Sequence, residues 1–500
     1  MRLRNYICIG MLLALLGTLA LAQDTGSSQT PDTGAPQTPD TGTPPNSTPA
    51  PAFGQTGPAP QQNVDNPPIS GLDLPNLDPN ASSRSFLVPG VHVSQAVDTN
   101  IGNQIGGTAV QGVTRALGSL ALQKLWNRYD VGLAYVGGGA YYNNSNFGLT
   151  QFHSLDAEQR YLWRTGQFAM RDGFSYLPEG AFGFGAYGGS GALGGVGTTG
   201  GTGITGIGLG GGGALLGGGG TLASLGQAPR ISNITVADIT QSLSPRASVT
   251  VAGSFGLTHF TDSSATQIVN GQVVNFIDSQ QVSGQAGYSY QLSRANQIGL
   301  LYGYQSFHFP TEVAGNFRTH LFHVLYGHRI SGRMDLVLGG GPQITEIATP
   351  GAPTTSSVSA SGRAELRYRF PQTSLTAGYS HYNSSGSGFY GGAKTDLVRV
   401  DASRPFGRNY TGTLDVGYTH NVRIIPFTTG SVPGQSFGYA YVGGSLHRRF
   451  GRDFSGFVSY QWNTLQFDTS FCTTGSCNRI SNRQVALIGF DWTPHPIRLD

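Results

Sequence analysis

The chain has 500 residues, of which 11% are charged, and a formal net charge of +3. So small a positive excess gives no argument for a nucleic-acid partner. Gly is abundant at 76 residues, Phe (26) and Tyr (22) are common, and Cys (3), Met (4) and Trp (4) are scarce, which points to an all-β chain with many turns.

The N-terminal element is "MRLRNYICIGMLLALLGTLALAQ". Arg2 and Arg4 give a basic start, an apolar run follows, and Ala20-Leu21-Ala22 closes it with small residues at the cleavage spacing. Residues 1–22 are therefore expected to be a cleaved signal peptide. No later run reaches the ~18 apolar residues that a membrane helix needs. Residues 23–84 are rich in Pro, Thr, Gly and Asp, and "QTPDTG" occurs twice, at Gln29 and Gln37. With no apolar period, this segment reads as a disordered periplasmic tether.

From residue 85 the pattern changes. Eighteen candidate strands follow, near 85–99, 113–126, 129–142, 152–164, 167–177, 231–243, 246–260, 277–292, 296–309, 314–330, 334–347, 355–370, 373–384, 391–406, 409–423, 433–450, 453–468 and 478–494. Most exceed the ~9–11 residues of a tilted membrane strand and the ~5–6 of a soluble sheet. Connections alternate between short ("WNR", "SRAN", "PQT", "GRD") and long and polar ("DSSATQIVNGQVVNFID", "DTSFCTTGSCNR"). Tight turns on one side and long loops on the other are how a membrane barrel is built. The longest loop, about 178–230, is glycine-rich. It matches a dinucleotide fingerprint loosely, but no βαβ unit surrounds it.

The segment "SASGRAELRYRF" alternates strictly. Arg363, Glu365, Arg367 and Arg369 share one face, and Ala364, Leu366, Tyr368 and Phe370 share the other. Each Arg facing lipid near the midplane would cost about 2–4 kcal/mol, so the charged face should point inward. Arg363, Glu365, Arg367, Arg369, Arg399, Asp401 and Asp415 are the candidate pore-lining residues. The basic excess on this strand hints at anionic solutes, whereas a ladder of charge pairs would only stiffen the wall. The strand "HLFHVLYGHR" is mixed: Leu321 and Leu325 oppose Phe322, Val324 and Tyr326.

Cys8 leaves with the signal peptide. Cys472 and Cys477 flank "TTGS" and are expected to form a disulfide after export. The eleven histidines include His320, His323 and His328 on one strand and His259, His308, His381, His420 and His447 near strand ends. No Ser or Asp stands beside them at a recognisable catalytic spacing, so no enzyme, metal or other cofactor is expected.

The last strand, "RQVALIGFDW", carries Gly489, Phe490 and Trp492. Here the chain resembles bacterial outer-membrane β-barrel proteins of the porin-like kind. The resemblance covers about residues 85–494 and implies that Gly489, Phe490 and Trp492 belong to the signal read by the barrel-assembly machinery. Such chains usually end on an aromatic residue, whereas here "TPHPIRLD" follows. The expected fold is an all-β, antiparallel, up-and-down transmembrane barrel over residues 85–500, with about 18 strands (16–18), preceded by the disordered linker. The expected location is the bacterial outer membrane, with its lipid and small hydrophilic solutes or ions as partners. Polysaccharide export and a non-transporting surface barrel are the alternatives. A homo-oligomer stays open.

Overall fold

The structure, a computed structural model, describes residues 85–499 apart from 178–228 and parts of other loops. The expected signal peptide, the tether and nearly all of the glycine-rich loop lie outside the described residues. Among the described residues the strands are β1 (Phe86–Asp98), β2 (Gln111–Leu125), β3 (Tyr129–Tyr142), β4 (Leu149–Trp163), β5 (Gly166–Leu177), β6 (Arg230–Ser244), β7 (Ala247–Phe260), β8 (Gln267–Val269), β9 (Gln272–Val274), β10 (Ser279–Gln291), β11 (Asn296–His308), β12 (Asn316–Ser331), β13 (Met334–Ala348), β14 (Thr355–Arg369), β15 (Ser374–Ser384), β16 (Ala393–Phe406), β17 (Tyr410–Arg423), β18 (Ser436–Arg449), β19 (Phe454–Phe467), β20 (Ile480–Trp492) and β21 (Ile497–Arg498). No described residue is in an α-helix.

The count exceeds the expected one. The main sheet holds nineteen strands, and β8 and β9 form a separate two-stranded hairpin. That hairpin brackets Asn270-Gly271, a favoured hairpin turn pair. The further strand in the main sheet is β21. After Trp492 the chain passes two prolines and returns to the ladder, where Ile497 and Arg498 oppose Leu87 and Phe86. The tail that departs from the usual ending is thus paired.

Each long strand pairs antiparallel with its neighbours, and β1 pairs with both β2 and β20, which closes the sheet into a barrel. Closure leaves no edge between the first and last strands, where an unpaired backbone group in the membrane would cost several kcal/mol. Side chains alternate as the pleat demands. In β10, Gln281, Ser283, Gln285 and Ser289 are buried on the inner face, while Val282 and Tyr288 are exposed at 52% and 40% on the outer face. The mixed strand β12 follows the same rule. Phe322, Val324 and Tyr326 face out, and Leu321 and Leu325 face in, where Leu325 packs on Leu301.

The outer surface is an apolar band with aromatic rims. Near the short turns, Trp126, Phe370, Phe406, Phe450, Phe454 and Trp492 are exposed. Higher up, outward tyrosines hold polar groups on the next strand: Tyr135 Oη lies 2.9 Å from His153 Nδ1, Tyr302 Oη 2.9 Å from His320 Nδ1, and Tyr379 Oη donates to Asp396 Oδ1 at 2.8 Å. An apolar surface this extensive does not stay in water. It fits a lipid band between two aromatic girdles.

One ladder is cut short. Pairing of β14 with β15 stops at Gly362 opposite His381, so Thr355–Ser361 keep β13 alone as a partner. Beyond that point β15 stays paired with β16 and turns inward: Tyr382, Asn383 and Ser384 are all buried, and the Asn383 amide donates to Thr319 and Thr345 at 3.1 and 2.8 Å. Those two hydroxyls lie on the inner faces of β12 and β13, so β15 ends inside the wall.

Candidate channel wall and mouth

From β10 to β13 the inner wall is mostly uncharged and polar, with Gln281, Gln285, Gln305, Thr319, Gln343 and Thr345 all buried, and Asp335 buried near the short-turn end. Charge lies on β14 to β17 and on other strands too, among them Asp98, Arg115, Arg230, Asp238, Arg483 and Asp491, all buried. Arg363 and Glu365 point inward and are 8% and 2% exposed. The Arg399 guanidinium donates to Asp415 Oδ2 at 2.6 Å, and with its side chain at 27% exposure Arg399 meets solvent far more than Asp415 does. By backbone register Arg367 stands between Asp335 and Thr376, Arg369 opposite Ser374, and Asp401 between Thr376 and Asp415. The side chains of Arg367, Arg369 and Asp401 lie outside the described set. Asp335 itself accepts from Arg329 at 3.2 Å. Of the basic residues on β14, Arg367 stands opposite an acidic residue, Asp335, in the register, whereas Arg363 and Arg369 stand opposite Gly339, Ser380 and Ser374.

Sequence reasoning missed the groups that close the barrel. Arg483 on β20 holds Asp98 on β1 through two nitrogens, with Nε 2.9 and 2.8 Å from the two carboxylate oxygens and Nη2 closer still. Both side chains are fully buried. Lower on the same seam His92 Nδ1 lies 2.9 Å from Asp491 Oδ1, and His92 Nε2 lies 2.8 Å from Ser119 Oγ. These partners are 385 and 399 positions apart in sequence, which no spacing rule reaches. The one usable signal was parity, since all of them fall on the inward set of their strands. Ser119, His92 and Asp491 stand in the order of a hydrolase triad. Acyl transfer also needs donors aimed at the developing oxyanion, and the backbone beside Ser119 is committed to ladders with Gly90 and Val136. The three groups therefore read as a clamp across the seam.

At the long-loop end, aromatic side chains pack across the lumen. Phe307 stacks on Phe317 at 4.5 Å between centroids, and Phe309 lies 6.1 Å from the same ring. Ile277 and Ile425 complete this cluster, with Ile347 and Ile424 against it. Ile425 follows β17, five strands from β12 and about 24 Å away along the wall at the usual strand spacing. Contact across that span means the loop ends reach over the opening. Gly392 makes the approach feasible: it has φ +100°, and a Cβ there would sit 2.3 Å from the Phe317 ring.

A second aromatic row continues the layer. Tyr390, Phe437, Phe467 and Phe471 follow one another at 5.4, 5.8 and 4.4 Å. The Arg423 guanidinium lies 4.3 Å from the Tyr390 ring centroid. Burial pushes the Tyr390 phenol well above its ordinary pKa, with Asp468 adding to the rise and Arg423 opposing it. Asp468 fastens this row. Its carboxylate accepts from Gln435 N at 2.9 Å, Ser436 N at 2.7 Å and Ser470 Oγ at 2.7 Å. Partial burial works against ionisation of Asp468, but those hydrogen bonds outweigh it and hold its pKa below the ordinary value. Directly after Phe471, Cys472 is bonded to Cys477, with Cα atoms 5.6 Å apart.

On β20 Gly489 faces inward, and Phe490 and Trp492 face out at 60% and 39% exposure. A Cβ at Gly489 would meet the Phe457 ring at 2.5 Å. Among the described residues no cluster of three or more His, Cys, Asp or Glu could hold a metal ion.

A closed antiparallel barrel with apolar side chains outside and polar ones inside is the architecture of an outer-membrane β-barrel protein. The chain matches no family model and no curated protein. Among solved structures it is similar to OccK2 (OpdF) of Pseudomonas aeruginosa, at 9% identity over 82% of this chain and 98% of that one, with a TM-score of 0.40. It is similar to OccAB4 of Acinetobacter baumannii at 9% identity, over 83% and 100% of the two chains, also at 0.40. The FrpB iron transporter of Neisseria meningitidis matches at 7% identity over 82% of each chain, again at 0.40. Likeness at this level speaks to neither solute nor mechanism.

Proposed function

We propose that the protein is an outer-membrane channel for passive passage of small hydrophilic solutes, with little preference between anions and cations. The observation that carries this reading is the inner wall. Its uncharged stretches offer amide and hydroxyl groups that can exchange hydrogen bonds with a solute. Its charged groups include the pairs Arg399 with Asp415 and Arg329 with Asp335. Pairing removes the net field that would select one sign of ion. Arg363, Glu365, Arg367, Arg369, Arg399, Asp401 and Asp415 then act first as a ladder that holds the wall and only second as a filter.

The aromatic layer at the mouth sets the width of the path on the side of β10 to β19. Export through residues 1–22 and insertion through Gly489, Phe490 and Trp492 belong to the same reading. Two measurements test it. A membrane barrel changes mobility on a gel when boiled and leaves the membrane only with detergent. In a planar bilayer it carries current in discrete steps. A polysaccharide exporter would pass a polymer of matching chemistry, and a surface barrel would pass no current.

A further inference from the structure

The interruption between β14 and β15 has no role in passage along the lumen. β13 pairs with β14 up to Thr355 and β16 pairs with β15 up to Ser384, yet β14 and β15 pair only as far as Gly362 and His381. The pairs that would come next, Ser361 with Tyr382, Ala360 with Asn383 and Ser359 with Ser384, are not made. The wall is therefore split on the side of the long loops. Thr355, Ser356, Ser357, Val358 and Ala360 are exposed along the free edge. The split begins roughly 20 Å above the aromatic rim at Phe370, near the top of an apolar band about 25 Å tall. Molecules seated in the outer leaflet, with a head among the headgroups and a tail in the band, meet it there.

Behind the split the inner wall carries unmet hydrogen bonds. By register Leu321, Gln343 and Ser359 form one inward row across β12, β13 and β14, with Ser359 at the free edge. Gln343 is fully buried, and neither its amide nitrogen nor its amide oxygen has a partner. Ser359 Oγ and Asn383 Oδ1 are likewise buried and unpartnered. Asn383 is brought to this face by its bonds to Thr319 and Thr345, one row higher. Buried polar groups are rarely left unpaired, and each exception asks for an occupant or a role. The same stretch of wall is also apolar. Leu321 lies over Gly303, where a Cβ would come within 3.3 Å of it, Leu325 lies over Gly339, and Leu325 packs on Leu301. An aqueous path needs none of these leucines.

We propose that the split is a side entrance for uncharged amphipathic molecules, which pass there between the outer leaflet and the lumen. A hydroxylated head, such as glycerol presents, takes the Gln343 amide, Ser359 Oγ and Asn383 Oδ1 as hydrogen-bond partners. The tail follows across Leu321, Leu325 and Leu301. The donor set fixes the class of head. Gln343, Ser359 and Asn383 offer both donors and acceptors but no charge, so an ionised head would be buried among them without a counter-ion. The row below holds His323, bonded through Nε2 to Ser361 Oγ, and Arg363 lies two rows below and is already engaged. Entry requires the tip of β15, held to this face by Asn383, to give way. That tip is the one stretch of β15 that has left β14.

The inference rests on the membrane-barrel reading, and the experiment separates the two. The full chain, inserted in phosphatidylcholine vesicles, is irradiated in the presence of decanoyl glycerol whose chain carries a diazirine, and the labelled residues are read by mass spectrometry of the digest. The expected result is labelling of inward residues on β11 to β14. Excess unlabelled decanoyl glycerol should reduce it several-fold, whereas glycerol or decanoate at the same concentration should not. Gln343→Leu and Ser359→Ala should each reduce the inward labels several-fold and leave the labels on outward residues as they are. Labels confined to outward positions, equal competition by decanoate or by glycerol alone, or variants that label like the wild type overturn the inference. If neither variant inserts, competition on the wild-type chain decides alone. A wild-type chain that does not insert, as judged by heat-dependent mobility, overturns the barrel reading itself.

Discussion

Replacing Asp98 by Leu would strand a guanidinium at the barrel seam. Arg483 and Asp98 are fully buried, and the Asp98 carboxylate also accepts from Asn100 N at 3.0 Å. Removing one partner of a buried, hydrogen-bonded pair costs about 3–5 kcal/mol, because the remaining charge loses both its partner and its solvation. The seam has little to spare, since β1 and β20 share eight register pairs, whereas β1 and β2 share thirteen. Against a total stability of roughly 5–15 kcal/mol, the Asp98→Leu barrel should unfold at markedly lower urea. Changing Arg483 to Leu as well removes the stranded charge, and replacement of a buried pair by apolar residues is often close to neutral. The double variant should therefore be more stable than either single variant. The assay is urea unfolding in detergent, read by Trp fluorescence and by heat-dependent gel mobility. A loss below about 1 kcal/mol in Asp98→Leu, or a double variant as weak as the single ones, would refute the closure argument.

Further outcomes follow from the wall and the mouth. Phe317→Ala should cost about 3–5 kcal/mol in the same assay and should enlarge single-channel conductance, because the ring lies in the cluster that packs over the opening. Arg399→Ser leaves Asp415 buried without its cation, so the reversal potential in a salt gradient should move toward cation preference; an unchanged potential would make the pair purely structural. Asp468 has a lowered pKa in the folded loop, so its contribution is complete above the ordinary carboxylate range and is lost as pH falls through that lowered value. Hydrogen exchange at the Gln435 and Ser436 amides, corrected for intrinsic rates, should therefore accelerate in acid, and Asp468→Asn should produce the same acceleration at neutral pH. Alkylation should find no free thiol at Cys472 or Cys477 until a reductant is added.

Strand positions were legible because the membrane imposes two simple demands: full backbone pairing and opposite polarity on the two faces. Each of the eighteen segments read from alternation overlies a long strand with ends within three residues, and the inward side of β14 was set by the cost of arginine in lipid. Alternation gives the face of a residue but not what lies across the lumen. Phe307, Phe317, Phe437 and Phe467 stand near strand ends, where they are buried inward and pack over the mouth. The same limit hid the seam. Asp98 and Arg483 look like isolated charges until the first and last strands meet. The short ladder of β14 and β15 is not legible from alternation either, which does not say where pairing ends; past that point Tyr382, Asn383 and Ser384 are all buried.

The central claim is that the barrel encloses a path for hydrophilic solutes whose wall charges are largely paired. Current through single proteins in a planar bilayer with a salt gradient tests it most directly. The account predicts discrete steps and a reversal potential near zero, which the Phe317→Ala channel shares at higher conductance. Barrels that have inserted, as shown by heat-dependent mobility, yet carry no steps at any voltage would contradict it.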